Sequence, residues 1–551
     1  MQYRHFAFRA AQEVIKRFPN QDVYVVEAGV TPSGKIHLGN FNDMVIADAV
    51  LKALKELGYE AKGFLVVDSR DPFRQPPEFA PESFKREANA YIGKPLEELP
   101  DPWGCHNSYA EHFIKPLEEV FPEYSIEIKI KWAKELHTAP GFIKLVEKVV
   151  ERREKIRNVV NEVRRKAGHS NLYPSGWIPY RPRCEKCGRI DEKVEPLEVI
   201  NGHLVRYKCG SCGHEGIADI RKAQGKPPWR IDWPLRWIYL NVHFEPLGKD
   251  HMASGSGYDT GSAVAREVFG RQPPVPVFYD FIYWVETKNG EKIYKKFSKR
   301  RGIGLGVDEW LKYAPPEVLR FQILKRDVGD IFSEALSHWD FDFTKIPDYV
   351  EEFDRYENTY FEIIEKKKQN WLILDTYKLT MYSKEPPRKP RRVSYKTLAK
   401  VAIWMRDLED GILILKKQGK LKGLEEWEIA DAKKRLIMAS NWVREVGIEN
   451  ILPQPSEIRK VFEELEDNVK KAVIEVLGEV EKETTPERIQ ERVKEISVKY
   501  GLTTRKQRLK VYRSIYRLVL GEDSGPPLKR LLSLPIMRER IEKLCEILVA
   551  K

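Results

Sequence analysis

Two short segments carry side chains suited to handling phosphate. Thr31-Pro32-Ser33-Gly34-Lys35-Ile36-His37-Leu38-Gly39-Asn40 joins hydroxyls, glycines and a histidine, and Lys296-Phe297-Ser298-Lys299-Arg300 gathers cations around one hydroxyl. In the first, Gly34 and Gly39 allow close backbone approach, Thr31 and Ser33 offer hydroxyls, and His37 can donate a hydrogen bond to a phosphoryl group as charge develops on it. In the second, Lys296 and Lys299 supply mobile ammonium groups for a departing pyrophosphate. Either segment alone is ordinary loop chemistry. Together they read as one split ATP site. Its ATP-binding residues are then Pro32, Ser33, Gly34, His37, Gly39, Asn40, Lys296 and Lys299. Its catalytic residues are His37, Asn40, Lys296, Ser298 and Lys299.

The elements that must position these residues follow from the pattern around them. An apolar, strand-like run at 23–26 precedes the first segment and a helix-like run at 41–55 follows it. The segment therefore sits where a strand turns into a helix, and helix N-termini attract phosphate. A second strand-like run at 61–67 ends in Asp68-Ser69-Arg70-Asp71. This is βαβ logic, in which ligands collect beyond the carboxyl ends of parallel strands, so 31–40 and 68–71 belong at one rim. The alternation is interrupted over roughly 90–220 and resumes at Trp229-Arg230-Ile231-Asp232-Trp233-Pro234 and Gly248-Lys249-Asp250-His251.

From about 315 glycines thin out and amphipathic helical patterning takes over, clearest at 398–417, 425–445, 456–477 and 486–500. A basic, proline-rich piece at 384–392 reads as a linker. The expected fold class is α/β: a Rossmann-type parallel-sheet catalytic domain with a zinc-bearing insertion, then an all-α C-terminal half. The expected boundaries are 1–90 and 221–315 for the two catalytic halves, 91–220 for the insertion, 316–395 for a first helical region and 396–551 for the helical end.

A chain of 551 residues, 42% of them hydrophobic, supports about three or four cored domains. The formal net charge of +12 suits a polyanionic partner, nucleic acid foremost. No apolar run approaches 18 residues, and the start, Met-Gln-Tyr-Arg-His-Phe-Ala-Phe-Arg, lacks the apolar core of a signal peptide. A cytoplasmic monomer with no membrane partner is the expectation.

Six cysteines are too few for a disulfide scaffold of this size, and four form two Cys-x-x-Cys pairs. Cys184, Cys187, Cys209 and Cys212 flank a hairpin candidate at 197–207 with Asn201-Gly202 as its turn, which is a zinc-ribbon pattern. Four thiolates close a tetrahedron and leave no position for water, so this zinc is structural. Asp101, Cys105, His106 and His112 form a second ligand-competent group, read either as a mixed zinc site or as a loop with an incidental cysteine and two surface histidines. Between 501 and 520 lie Arg505, Lys506, Arg508, Lys510, Arg513 and Arg517 with Tyr512 and Tyr516 and no acidic residue. Two readings stand here: phosphate contacts plus stacking rings for single-stranded RNA, with Arg505, Arg508 and Arg513 as contacts, or a solvated basic face over core tyrosines.

The two phosphate-handling segments resemble the HIGH and KMSKS signatures of class I aminoacyl-tRNA synthetases, with Asn40 in place of the second histidine, Phe297 of methionine and Arg300 of the final serine. Four further passages, at 27–34, 68–72, 231–237 and 244–251, together resemble class I lysyl-tRNA synthetases, strongly over the catalytic half and more loosely over the helical half. The resemblance implies a two-step reaction: lysine carboxylate attacks the α-phosphate of ATP, then the lysyl-adenylate passes to the terminal adenosine of tRNA(Lys). It implies Mg2+ with the phosphates, an insertion holding the acceptor end and a helical half reading the anticodon. It also suggests that Gly29 and Thr31 hold the α-end of L-lysine, with Trp229 and His251 lining the pocket. The side-chain ammonium needs a carboxylate or aromatic face, for which Asp68, Asp250 and Trp229 are candidates. A glutamyl- or glutaminyl-type synthetase, expected to show a pocket centred on arginine, is the alternative enzyme. A tRNA-binding protein without aminoacylation and a zinc-ribbon nucleic-acid binder are the alternatives without catalysis.

Overall fold

The computed structural model describes residues 4–288, 291–298, 304–405, 407–447, 455–480, 486–524, 528, 532 and 535–549. Five parallel strands form the central sheet: β1 (Tyr24–Val30), β2 (Ala61–Val67), β3 (Lys129–Trp132), then Phe244–Gly248 and Val275–Tyr279. In space they run Val275–Tyr279, Phe244–Gly248, β1, β2, β3. The chain thus winds outward in one direction from β1, returns to its other side and winds outward again, which makes the junction of β1 with Phe244–Gly248 the topological switch point. β1 pairs with β2 along its whole length, whereas its register with Phe244–Gly248 is Val26 to Phe244 alone. The two strands part toward their carboxyl ends, and the crevice opens there.

β3 lies inside the stretch expected to be an insertion. It pairs Phe64–Val67 of β2 with residues 129–132, and its sequence, Lys-Ile-Lys-Trp, is too short and too charged to announce a strand. An edge position explains both traits, since charge on an edge blocks pairing with other chains.

Helix α1 (Phe6–Arg17) and helix α2 (Leu38–Glu56) pack against each other, and the side chains of α2 are buried almost throughout. Burial includes Asp48 and Lys52, which is tolerable only with partners. Lys52 Nζ lies 2.7 Å from Asp48 Oδ2, and Arg320 Nη1 lies 2.9 Å from the same oxygen. Arg320 also donates to the carbonyls of Tyr124, Leu379 and Thr380. One guanidinium thereby ties the helix that begins at the first phosphate segment to three other stretches of chain.

Two compact units divide the chain: 1–311 with 315–345 and 352–389, and 312–314 with 346–351 and 390–551. The passage at Lys389 to Pro390 falls inside the basic, proline-rich stretch. Within the described residues the second unit is helical throughout. Two of its expected helices are each broken in two. Tyr395–Trp404 and Leu408–Lys417 replace 398–417 because Asp407 starts a new helix, its side chain accepting the Asp410 N–H at 2.9 Å. Pro455–Glu463 and Asp467–Val480 replace 456–477, the break falling in the Glu463-Glu464-Leu465-Glu466-Asp467 run, where like charges repel and an acid suits a fresh N-terminus.

Candidate active site

The loop after β1 delivers the first phosphate segment to the N-terminus of α2, as the pattern requires. His37 caps that helix in an extended conformation, and Asn40 Oδ1 accepts its backbone N–H at 3.5 Å. The chain a few residues beyond the second segment meets it through the backbone. Leu38 N–H donates to the Leu305 carbonyl at 3.1 Å, and His37 pairs with Gly306 in an antiparallel bridge. The Phe297 ring lies 5.2 Å from the His37 ring. Gly304 (φ +127°) lies directly against Phe297, so any side chain there meets the ring. Lys296 Nζ sits 3.6 Å from the centroid of Phe281. Lys299 lies outside the described residues.

Two cavities meet here. The larger, about 730 Å3, is lined by Ser33, His37, Gly39, Asn40, Lys296 and Ser298 among others. The smaller, about 440 Å3, lies over the parting strands and is lined by Gly29, Thr31, Asp68, Trp229 and His251. Gly39, Asn40, Gly248, His251 and Tyr279 line both, so the two form one continuous groove. Of the residues assigned from sequence to phosphate handling, Pro32 and Gly34 are buried and line neither cavity. Of those assigned to the amino acid, Asp250 lines only the larger one.

The floor of the smaller cavity holds acids that the sequence reading left without a role: Glu27, Asp43 and Glu245. Glu27 on β1 is 1% exposed, and neither carboxylate oxygen has a hydrogen-bond partner. Burial pushes its pKa up to about 8, against the pull of Arg236 and with the push of Asp68, Asp232 and Asp43. Asp43 accepts from Tyr279 Oη at 3.0 Å and from Gly29 N–H at 3.2 Å, yet burial raises it to about 7. Glu245 accepts from the indole N–H groups of Trp233 and Trp237, and burial followed by the nearby Glu27 charge drives it well above the carboxylate range.

The one buried cation among them is committed. Arg236 is bound to Asp68 and, at 2.6 Å, to Asp232. His137 Nε2 meets Asp232 Oδ1 at 2.7 Å, and burial lowers His137 to about 4, so the ring is a neutral donor. Burial works against ionisation of Asp232 but is outweighed by His137 and Arg236, which hold it below the usual range. Asp68 therefore already has its cation. Trp229 stacks on Trp233 at 4.8 Å and approaches His251 at 5.9 Å. Burial lowers the His251 pKa, keeping the imidazole neutral beside the cavity.

The cysteine pairs converge as expected. Cys184 and Cys212 sulfurs are 3.7 Å apart, Cys187 and Cys209 sulfurs 3.6 Å, and all four lie within 4.8 Å of one another. A tetrahedron with Zn–S bonds of about 2.3 Å has edges of roughly 3.8 Å, so the set fits a zinc ion. The strands Val194–Ile200 and Leu204–Cys209 form the hairpin between the pairs, with Asn201 (φ +50°) and Gly202 (φ +75°) in the left-handed region that such a turn demands. Asp101, Cys105, His106 and His112 also converge: Cys105 Sγ lies 3.3 Å from Asp101, 3.1 Å from His106 and 3.2 Å from His112. Here the Trp103 ring stacks on His112 at 4.1 Å.

In the second unit Arg505–Leu520 is one helix capped by Thr504. Arg505 and Arg513 are exposed, Arg508 is half-buried and donates to the Thr503 carbonyl, and Tyr512 and Tyr516 are half-buried on the packed side. Among the described residues no helix is long and apolar enough to cross a membrane.

A doubly wound sheet whose switch-point crevice sets a histidine-capped helix N-terminus against the strand end that carries Lys296 defines a nucleotide-binding α/β enzyme. Within that class the chain belongs to the family tRNA synthetases class I (K), whose model matches residues 4–381. It is 32% identical to the lysine–tRNA ligase of Methanocaldococcus jannaschii over 96% of this chain and 97% of that protein. It is 33% identical to the lysine–tRNA ligase of Pyrococcus horikoshii over 98% and 99%. A solved glutamate–tRNA ligase of Elizabethkingia meningosepticum aligns at 13% identity and a TM-score of 0.44, covering 95% of this chain and 99% of that one.

Proposed function

We propose that this protein is an ATP-dependent enzyme that activates L-lysine as lysyl-adenylate and transfers it to tRNA(Lys). The observation that carries the choice of amino acid is the acidic floor of the smaller cavity, where Glu27, Asp43, Asp68 and Glu245 gather around one guanidinium already bound to two carboxylates. Such a floor suits a cationic side chain and opposes glutamate. The family and the near full-length relatives, each named a lysine–tRNA ligase, support the same reading.

In this reading lysine lies with its α-end at Gly29 and Thr31 and its methylenes along Trp229 and His251, while ATP fills the larger cavity. His37 and Asn40, at the positive end of α2, stabilise charge that grows on the phosphates. Lys296, Ser298 and Lys299 hold the pyrophosphate as it leaves. No covalent enzyme intermediate is needed, so positioning and charge stabilisation carry the rate. Asp250 offers an oxygen ligand in the larger cavity for Mg2+, which supplies charge neutralisation on the phosphates. The four cysteines hold zinc as a brace for the ribbon, the Asp101, Cys105, His106 and His112 group holds a second ion, and neither takes part in the chemistry. Residues 91–220 hold the acceptor end of the RNA. The helical end contacts its anticodon arm with Arg505, Arg508 and Arg513 among the phosphate contacts, making binding salt-sensitive.

The test is amino-acid-dependent exchange of pyrophosphate into ATP, with each standard amino acid, with and without total tRNA. Exchange with lysine, in either condition, supports the reading. Exchange with glutamate, glutamine or arginine, or with none, overturns it.

A further inference from the structure

Five carboxylates line the smaller cavity, and four are spoken for: Asp71 by Lys226 at 2.6 Å, Asp43 by Tyr279 and the Gly29 N–H, and two more besides. Asp68 is bound to Arg236, and Glu245 receives two indole N–H groups. Glu27 is different. It is almost wholly buried, lines the cavity, and brings two oxygens that meet no donor. A buried carboxyl without a hydrogen bond costs on the order of 1–3 kcal/mol or more, and a strand that is otherwise apolar on this stretch has no structural use for one. Glu27 and Gly29 lie two residues apart on β1 and so share one face of the sheet. A substrate whose α-end rests at Gly29 therefore points its side chain inward along that face, toward Glu27.

We propose that Glu27 is the specificity-determining residue of the site, receiving the ε-ammonium of lysine as an ion pair at the end of the cavity, with Glu245 and Trp233 forming the wall behind it. This deepens the lysine reading and rests on it. Asp250 is excluded as the partner because it lines only the larger cavity, and Trp229 is left to flank the methylenes.

Proton movement follows from the pairing. In the empty site Glu27 faces Arg236, Asp68, Asp232, Asp43 and Glu245, a surrounding of one cation and four acids, and holds its proton at neutral pH. An arriving ammonium reverses the balance. Glu27 gives up the proton to solvent, its carboxylate pairs with the ammonium, and the charge of the floor stays matched to that of its occupant. Neutral side chains of lysine's length gain no such partner and leave the carboxyl protonated.

The experiment compares the wild-type enzyme with Glu27→Gln in pyrophosphate exchange, with total tRNA present, on lysine and on norleucine, which has lysine's chain without the ammonium. In Glu27→Gln the KM for lysine is expected to rise at least 50-fold, the KM for ATP to move less than threefold, and preference for lysine over norleucine to collapse. A lysine KM within twofold of wild type with preference intact overturns the role of Glu27 while leaving the lysine reading standing. A wild-type enzyme that shows no exchange with lysine overturns both. Calorimetry of lysine binding to the wild-type protein near pH 7, in buffers of different ionisation enthalpy, needs no variant. Release of a proton is expected, and binding without proton release overturns the proposal.

Discussion

The ring of His37 packs 5.2 Å from the ring of Phe297, joining two signature segments that the chain separates by most of its catalytic half. The contact joins the helix N-terminus to the 296–298 stretch, and in the proposed function both act on one set of phosphates. Phe297 is buried at 8% exposure and is boxed in by Gly304. Replacing it with alanine unseats the loop without removing any charged group. Phe297→Ala should therefore lower the rate of lysine activation by about 10–100-fold, the cost of misplacing reacting groups by roughly 1 Å. Lysine affinity should be nearly unchanged. Single-turnover adenylate formation beside equilibrium lysine binding reads both, and a normal rate refutes the positional role.

The four-cysteine ribbon makes a prediction of the opposite kind. Its sulfurs stand at distances fitting a metal tetrahedron, yet none of the four lines either cavity. Cys184→Ser should lose one equivalent of zinc and lower the unfolding temperature by several degrees, because metal binding is coupled to folding. Lysine activation per folded molecule should stay within about twofold. Equal zinc content and unchanged unfolding in that variant would show the sulfurs to be ordinary core thiols.

What the sequence disclosed and what it withheld divide by range. The ribbon and the signature segments are local patterns, with spacing and residue type together stating the chemistry. The break at Asp407 hides inside a continuous amphipathic run, because periodicity survives a cap that only the side-chain bond to Asp410 reveals. Glu27 carries the same lesson for the site. One acid in Tyr-Val-Val-Glu-Ala-Gly-Val is visible at once, but its isolation depends on the Trp229–Leu240 helix covering the sheet and on Arg236 being drawn to Asp68 and Asp232. Those are long-range outcomes. A single acid in an apolar strand is nonetheless the signal that would have found it.

His137 supplies a pH dependence. Its pKa falls from 6.5 to about 4 through burial, so below pH 6.5 the unfolded chain takes up a proton that the folded one refuses. Stability supplied by the neutral ring is present above pH 6.5 and is lost as the pH falls toward 4, at about 1.4 kcal/mol per pH unit for each such group. His5, fully buried beside the Leu324 carbonyl, behaves the same way. The unfolding temperature should drop through this window. His137→Gln keeps a donor for Asp232 but cannot titrate, so its profile should be shallower by one proton. Parallel profiles would place the acid sensitivity elsewhere.

Glu27 makes the converse prediction for the empty enzyme. Its folded pKa, about 8, lies above the ordinary 4.5. Below pH 4.5 both states hold the proton and the group is neutral in the balance. As the pH rises from 4.5 to 8 the unfolded chain releases its proton while the folded one retains it, so the folded state loses ground. Glutamine in that position holds no titratable proton and keeps nearly the same volume. Glu27→Gln should therefore unfold at the same temperature as wild type at pH 4.5 and about 1–3 °C higher at pH 8.5. A residue that destabilises its own fold and selects its substrate is the usual bargain of stability against function. Saturating lysine should reverse the order at pH 8.5, raising the wild-type unfolding temperature by mass action and the variant's far less. If the variant unfolds lower than wild type at both pH values without lysine, Glu27 is a structural member of the strand, and its burial has a partner other than the substrate.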